Sequence, residues 1–485
     1  LQNWLLKQAQ INPDKTALIF AKQRWTFQQL AAEVLQTAGQ IVNVAGKLPE
    51  QTRVAVLLKN NAAGYRVILA LQQLGWVPLL LNWRLSNAEL ERQISAGQPQ
   101  ALIVDDSLDS LADQLQLTTT LSPIFVSRLA AEKGVSIKPI ADFSADKVAS
   151  IMYTSGTTGK PHGVKQTFQN HFYSAVGSAF NLGLDPAELW LCALPIFHIS
   201  GLSIMMRSLI YGMGVLLVPH FSAKTTTQLL QKYPVTLMSV VPQMLQQLLA
   251  IYPANGYQRS FRGFLLGGGP IAAATLATCQ QKGLPVVQSY GMTETCSQVI
   301  ALNFTDATQH LGSVGKPLFP MQVRLAEQPI GEIQLKGPNL AVGYLDDTAG
   351  FLAKMTADGW FRTGDLGRYD QAGFLYICGR QDEMLISGGE NVFPQEIENV
   401  YQQFSAIKEI AVIGITDRKW GQVPCAFYVS QESLTPQQLI DFGRQRLAHY
   451  KVPQKFIQLA ELPRTASHKI SRVKLRELYL RNYSD

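Results

Sequence analysis

Nine consecutive residues, Tyr153-Thr154-Ser155-Gly156-Thr157-Thr158-Gly159-Lys160-Pro161, could form an anion cradle. Small hydroxyl side chains and glycines let backbone N–H groups and hydroxyls wrap a phosphate chain, and Lys160 adds positive charge. The run follows the apolar segment VASIM, read as a strand. It is not a Walker A loop. The glycines of GTTGK stand too close together, and Pro161 occupies the place where Ser or Thr would hold magnesium. Taken alone, the run also fits a plain Ser/Thr/Gly surface loop.

Further along, Ser289-Tyr290-Gly291-Met292-Thr293-Glu294 follows the apolar run LPVVQ. A loop at a strand end lets Gly291 bring backbone against a flat base or an acyl group. Thr293 can donate to a phosphate oxygen, and Glu294 suits Mg²⁺, a hard cation that takes oxygen ligands. The same residues also fit an ordinary turn with a capping threonine. In Arg362-Thr363-Gly364-Asp365 and Gly379-Arg380-Gln381-Asp382, a carboxylate can accept two ribose hydroxyls and an arginine can donate to phosphate or ribose. Near the end, Pro463-Arg464-Thr465-Ala466-Ser467-His468-Lys469 places a lysine in a loop. A turn aspartate, a surface arginine and a solvated lysine are the bland readings.

These residues need strand ends to present them, and the chain supplies strands. RVAVLL (53–58), WVPLLLN (76–82) and ALIVDD (101–106) read as buried strands, and 26–42 as an amphipathic helix opening at Thr26. From 185 to 300, LWLCALP, GVLLVP, VTLMSVVP, FRGFLLGGGP and LPVVQSYG are short apolar strands ending in turn residues. Open α/β sheets bind ligands at such ends. GEIQLKG (331–337) and GFLYICGR (373–380) alternate like antiparallel or barrel strands. After Arg380 a compact α+β unit of about 100 residues follows. The expected fold is therefore α/β: a large N-terminal domain (1–381) of parallel or mixed sheets with helices and a small barrel-like subdomain, then a small α+β domain (382–485).

Composition bounds the function classes. The 485 residues are 47% hydrophobic and 16% charged, which excludes a mainly disordered chain. The net charge is +7 from 42 basic and 35 acidic residues. No dense Lys/Arg block with interleaved aromatics occurs, so no nucleic-acid partner is expected. Five scattered cysteines without C-x-x-C argue against a disulfide framework and for a reducing cytoplasm. LQNWLLKQAQINPDK lacks the apolar core of a signal peptide. The stretch 67–81 is broken by Gln72, Gln73, Gly75 and Pro78, so no membrane span is expected.

In this order and spacing the motifs resemble the adenylate-forming superfamily of acyl- and aryl-CoA synthetases, luciferases and peptide-synthetase adenylation domains. The resemblance covers roughly 10–475. It implies that Thr154, Ser155, Gly156, Thr157, Thr158, Gly159 and Lys160 bind the β- and γ-phosphates of ATP. Gly268, Gly269, Ser289, Tyr290, Gly291 and Met292 would flank the adenine. It further implies that Thr293 meets the α-phosphate, Glu294 the magnesium, and Asp365 with Arg380 the ribose. Asp382 would be the hinge of a mobile C-terminal domain, and Lys469 the catalytic lysine. His198, Gly267 and Gly291 would wall the acid pocket, and Ser387, Gly388 and Gly389 would line the coenzyme A channel. Two departures stand out. His162 replaces the usual lysine after Pro161, and His468 replaces the usual glycine before Lys469.

A narrower resemblance lies in Leu194–Ser203, with His198 and Ser200, in Gly291–Gln298, in Ser387–Asn391 and in Trp420–Pro424. It points to the o-succinylbenzoate–CoA ligases of menaquinone biosynthesis. It implies a small carboxylic acid, ATP, Mg²⁺ and coenzyme A as partners, and leaves a homodimer open. Arg207 offers a physical hint of its own. It lies in the apolar stretch IMMRSLIYGMGVLLV, where a cation needs a partner, and o-succinylbenzoate carries a second carboxylate. Snorkelling to the surface, or a structural acid, would explain Arg207 equally. Another aryl- or medium-chain acyl-CoA synthetase, or an enzyme that loads a carrier protein, is the alternative.

Overall fold

The computed structural model describes residues 1–117, 121–154, 161–345, 347–387, 390–465 and 469–483. Among them, two largely parallel sheets organise the chain from Thr16 to Pro317. One runs Pro123–Phe125, Ala101–Val104, Arg53–Leu57, Val77–Leu80, Val148–Tyr153 and Gly163–Thr167 in spatial order. Only its last pair is antiparallel. The other runs Lys316–Pro317, Ser297–Ala301, Val286–Met292, Gly263–Leu266, Leu237–Val240, Leu189–Cys192, Gly214–Leu217, Thr16–Phe20 and Gln23–Thr26. Its central strands are parallel, with antiparallel pairs at both edges. Val77–Leu80, Ala101–Val104 and Leu189–Cys192 are buried at every position. That is why they read as continuous apolar runs: helices cover both faces.

The helix expected over 26–42 spans Phe27–Ala45. Thr26 caps it and Gln29 returns a bond to the Thr26 N–H, satisfying two orphan donors. Phe27, Leu30, Ala31, Val34, Ala38 and Ile41 form its buried stripe, and it packs on the helix Ala62–Gln73. The stretch 67–81 is the end of that second helix, a turn at Gly75 (φ +72°) and the strand Val77–Leu80. No helix among the described residues is long and apolar enough to cross a membrane.

The small subdomain is a four-stranded antiparallel sheet, Gln322–Leu325, Gly331–Lys336, Phe361–Tyr369 and Leu375–Arg380. The C-terminal unit is built on the long hairpin Ile407–Asp417 and Gly421–Ser430, joined by Leu385–Ser387, Glu390–Val392 and Lys455–Gln458. Ile410 and Val412 face one core with Ile397 and Tyr401, while Ala411 and Ile413 face another with Leu475 and Tyr479. The period of two along the strand puts helices on both sides.

One expectation is corrected. Ser289–Met292 is not a loop, because the strand Val286–Met292 runs through it. Beyond Gln288 the strand leaves its parallel partner Gly263–Leu266 and pairs antiparallel with Ser297–Ala301. The turn comes only at Thr293–Thr295.

Candidate active site

The register of two strands in the small subdomain builds one end of the site. Asp365 on Phe361–Tyr369 lies opposite Arg380 on Leu375–Arg380. Arg380 Nη1 donates to Asp365 Oδ1 at 3.0 Å, and Tyr290 Oη donates to Oδ2 at 2.5 Å. The turn ahead of Asp365 is held from behind: Glu332 accepts from the Gly364 N–H and from Arg362 Nε, both at 3.0 Å. Gly364 has φ +74°, and a β-carbon there would stand 3.0 Å from the Arg380 guanidinium. Burial pushes the Asp365 carboxyl above its ordinary range, against the pull of Arg380, Tyr290 and Lys469. Burial alone would lower Arg380, but Asp365 and Asp382 outweigh it and raise it. Both shifts are upward for different reasons: burial dominates for the more deeply buried carboxylate, and the neighbouring carboxylates dominate for the guanidinium. A carboxylate has about four lone-pair sites, so two remain for hydroxyl donors. Arg380 Nε also reaches Asp382 Oδ1 at 3.3 Å, where the chain leaves the subdomain.

Lys469 belongs to a hairpin closed by the Thr465 N–H donating to the Lys469 carbonyl at 2.7 Å. It stays solvent-accessible. Surrounding protein displaces bulk water and holds its ammonium below the usual lysine range, with Arg380 adding to this and Asp365 and Glu294 opposing it. Lys469 therefore shares one electrostatic environment with Asp365, Arg380 and Glu294.

Glu294 is buried and accepts from Tyr344 Oη at 2.8 Å. The Tyr344 ring stacks on His162, centroids 4.5 Å apart, so the histidine that replaces a lysine supports the residue orienting Glu294. Among the described residues no cluster of three His, Cys, Asp or Glu could hold a metal by itself. A single carboxylate with one orienting donor suits Mg²⁺ that brings most of its oxygen ligands with it as phosphates and water. Thr293 opens the turn 293–295, and the Thr293 carbonyl accepts from Gln166 Nε2 at 2.7 Å. The turn closes through Cys296 (φ +52°) and Ser297 (φ +110°), backbone conformations that side chains seldom adopt. Gly291 lies under it: a β-carbon would fall 2.1 Å from the Ser297 carbonyl.

Gly267, Gly268 and Gly269 follow the strand Gly263–Leu266, beside Val286–Met292. Ser289 Oγ donates to the Leu266 carbonyl at 2.9 Å, and a β-carbon on Gly267 would meet that hydroxyl at 3.3 Å. Met292 is half-buried against Tyr344 and Phe361. The Thr154 N–H donates to the His162 carbonyl at 3.0 Å, closing the turn between Val148–Tyr153 and Gly163–Thr167. Ser155–Lys160, Gly388, Gly389 and His468 lie outside the described residues. Ser387 is buried in the C-terminal sheet, paired with Glu390 and Gly421.

The other end of the site is the helix Ile199–Tyr211. His198 is its N-cap residue, half-buried, its ring 4.7 Å from that of Phe197, and Ser200 follows in the first turn. Arg207 lies nine positions beyond His198, about 13 Å along the axis. It is 1% exposed, so it does not snorkel. Nη2 donates to Gln298 Oε1 at 2.7 Å and to Ser297 Oγ at 3.3 Å, and the guanidinium lies 5.3 Å from the Trp190 ring. Nε and Nη1 are buried without a partner. Among the described residues no carboxylate forms an ion pair with it. Burial lowers its proton affinity, yet an arginine stays charged. Nearby His171 is neutral, its pKa pushed down to about 3 by burial and then by Arg207.

The structure thus joins Tyr290, Asp365, Arg380 and Asp382 by hydrogen bonds, and Lys469 and Glu294 by charge. Sequence reasoning missed Tyr344, Glu332, Gln166 and Gln298. Gln298 and Glu332 stood within the segments Gly291–Gln298 and 331–337, though without a role; Tyr344 and Gln166 carry no signal apart from their place in the fold.

Two family models match the chain: AMP-binding enzyme over residues 5–345 and AMP-binding enzyme C-terminal domain over 396–469. The 2-succinylbenzoate–CoA ligase of Listeria monocytogenes is 44% identical over 98% of this chain and 99% of its own. Among solved structures, the o-succinylbenzoate CoA synthetase of Bacillus subtilis with the acyl-adenylate intermediate matches at 40% identity, TM-score 0.92 and 98% of both chains. Its complex with ATP and magnesium gives the same score over 98% of this chain and 99% of that one. A double mutant of that enzyme bound to a coenzyme A product analogue matches at TM-score 0.76, again at 40% identity and 98% of both chains.

Proposed function

The chain belongs to the AMP-binding enzyme family, and from that premise we propose that it is an AMP-forming acid–CoA ligase. Its reaction is o-succinylbenzoate, ATP and CoA to o-succinylbenzoyl-CoA, AMP and diphosphate. Near-full-length identity to 2-succinylbenzoate–CoA ligases supports the reaction. The observation that carries the acid is Arg207, a buried cation with two unpartnered nitrogens and, among the described residues, no acid paired with it. A dicarboxylate supplies the missing anion while its other carboxylate reacts.

In the first step the reacting carboxylate attacks the α-phosphorus of ATP, a P–O bond forms and diphosphate leaves. Every partner is anionic, so the protein's work is positioning and charge neutralisation. Lys469 bridges the attacking carboxylate and the nucleotide, and Thr293 donates to the α-phosphate. Thr154–Lys160 hold the outer phosphates, Glu294 holds magnesium, and magnesium neutralises phosphate charge. Asp365 takes the ribose hydroxyls, steadied by Arg380 and Tyr290. Gly268, Gly269 and Ser289–Met292 flank the adenine. His198, Ser200, Gly267 and Gly291 wall the acid.

In the second step the CoA sulfur attacks the acyl carbon, its proton leaves to solvent and AMP departs. We assign residues 1–381 and 382–485 to two bodies turning at Asp382, with Ser387–Gly389 brought to the thiol channel. The relative's two TM-scores, 0.92 with adenylate and 0.76 with the CoA analogue, support a change of arrangement between the steps. Lys469 beside Asp365 and Glu294 corresponds to the first. Five free cysteines suit a cytoplasmic enzyme. Pyrophosphate release with ATP and a panel of acids, with and without CoA, tests the reading. o-Succinylbenzoate should be preferred over monocarboxylates, and the thioester should form only with CoA. A medium-chain or simple aryl acid used equally well would contradict it.

A further inference from the structure

Gln166 is fully buried on the strand Gly163–Thr167, which follows Thr154–Lys160 in the chain. Its side-chain nitrogen donates to the Thr293 carbonyl at 2.7 Å, and its oxygen accepts from Ser150 Oγ at 2.8 Å. Ser150 lies opposite it on Val148–Tyr153, the strand that precedes Thr154–Lys160. The Ser150 hydroxyl has one hydrogen, already given to Gln166, so it accepts from His171 Nε2 at 2.9 Å. His171, its pKa pushed down to about 3 by burial and then by Arg207, is neutral, and the Ser150 hydroxyl calls for its Nε2–H tautomer. The donors run one way, from His171 through Ser150 and Gln166 to Thr293, and the amide has no alternative orientation. Thr293 is also where restraint is needed, because the turn it opens closes through two residues at positive φ. The far end of that turn is held by Ser174 Oγ donating to the Cys296 carbonyl at 2.6 Å.

We propose that Gln166 is a positioning residue for adenyl transfer. Its amide ties the turn carrying Thr293 and Glu294 to the hairpin carrying Thr154–Lys160, and so fixes the α-phosphate contact and the metal carboxylate relative to the outer-phosphate cradle. This rests on the reading of Thr293 as the α-phosphate contact.

The test compares Gln166→Met, which keeps volume and removes the donor, with Gln166→Glu, Thr293→Ala and Gln40→Met. Gln40 is a remote buried glutamine donating to the Glu132 carbonyl, and its variant reports the ordinary cost of losing such a bond. Gln166→Met should slow acid-dependent pyrophosphate exchange in kcat by about 10- to 100-fold, the scale of a misplacement of about 1 Å, with the KM for the acid little changed. Thioester formation from supplied acyl-adenylate should stay close to wild type. Gln40→Met should lose comparable melting temperature with no kinetic effect.

Gln166→Glu turns two acceptors toward each other when ionised and restores a donor when protonated. Its exchange rate relative to wild type should therefore rise as pH is lowered. Of the titratable groups, His171 on the helix Phe168–Leu182 reaches that position through Ser150, and Glu294 follows Thr293 in the turn. Gln166→Met gives no such recovery. A folded Gln166→Met that exchanges within about threefold of wild type overturns the inference, as does equal slowing of both half-reactions. If Thr293→Ala is slow while Gln166→Met is not, the inference alone fails. If Thr293→Ala is fast, the reading of Thr293 fails and the inference with it.

Discussion

Asp365 and Arg207 carry opposite charges at opposite ends of the site, and the protein treats them differently. Asp365 is buried but balanced: Arg380 and Tyr290 bond to its two oxygens and Lys469 lies in its field. Arg207 is buried more completely and, among the described residues, meets the neutral Gln298 and Ser297 and the Trp190 ring, with an uncharged histidine nearby. A group balanced inside the protein can hold a neutral, hydroxyl-rich ligand part such as ribose without changing the charge of the site. A buried cation without an acid is costly until an anion arrives, and that cost is a source of selectivity. On the proposed reading the nucleotide end would serve any acyl-adenylate chemistry, and the acid end would select a dicarboxylate.

The largest effect expected at the nucleotide end is that of Lys469→Ala. Losing a charge contact made in the transition state should slow adenylation by about 10²–10³, or ~3–4 kcal/mol, with thioester formation from supplied acyl-adenylate nearly untouched. Equal losses in both steps would make Lys469 a structural residue. Asp382→Pro should give the mirror image, because it fixes φ near −65° at the junction: adenylation survives and thioester formation falls. Full activity in both steps would remove the hinge.

Stability separates the two ends next. Arg380→Leu leaves Asp365 buried without its cation and should destabilise the ligand-free protein by about 1–3 kcal/mol in denaturant unfolding. Arg207→Leu removes an unbalanced charge from an apolar surround and should stabilise it by roughly 1–3 kcal/mol. Destabilisation by both variants would show that Arg207 is balanced after all.

A last contrast is read in pH. A histidine in the unfolded chain binds its proton near 6.5, whereas His171 holds off to about 3. Between these values the unfolded state carries the extra proton. The contribution of His171 is complete above pH 6.5 and is lost as pH falls toward 3, at roughly 1.4 kcal/mol per pH unit. His171→Gln, with an amide donor and no titration, should flatten this limb of acid unfolding. An unchanged limb would mean that His171 is charged beside Arg207.

Much of this was legible in the sequence because its carriers are local. Strand runs such as LWLC and GVLL announced themselves by composition, and Thr26 with Gln29 announced a helix start. The motifs placed Asp365, Arg380, Glu294 and Lys469 in order. Other features depend on contacts across the chain. Tyr290 reaches Asp365 across 75 positions, and Thr16–Phe20 pairs with Gly214–Leu217 almost 200 residues away. Gln166 is a neutral amide unmarked by charge or motif, Gln298 closes a motif that does not reveal its bond to Arg207, and only burial gives their bonds consequence. Ser289 and Gly291 look like turn residues, so composition predicts a shorter strand than Val286–Met292. A new antiparallel partner carries the strand through them.

The most direct test of the central claim is a two-by-two comparison of kcat/KM. Wild type and Arg207→Leu are each assayed with o-succinylbenzoate and with its ester at the non-reacting carboxyl. Breaking one partner of a buried charge pair costs about 2–5 kcal/mol, so Arg207→Leu should lose roughly 30- to 5,000-fold on the diacid. Wild type should already be poor with the ester, and the variant should lose little further on it, because either change breaks the same pair. A folded variant that loses the same factor on both substrates, or a wild type indifferent to the distal charge, would contradict the account.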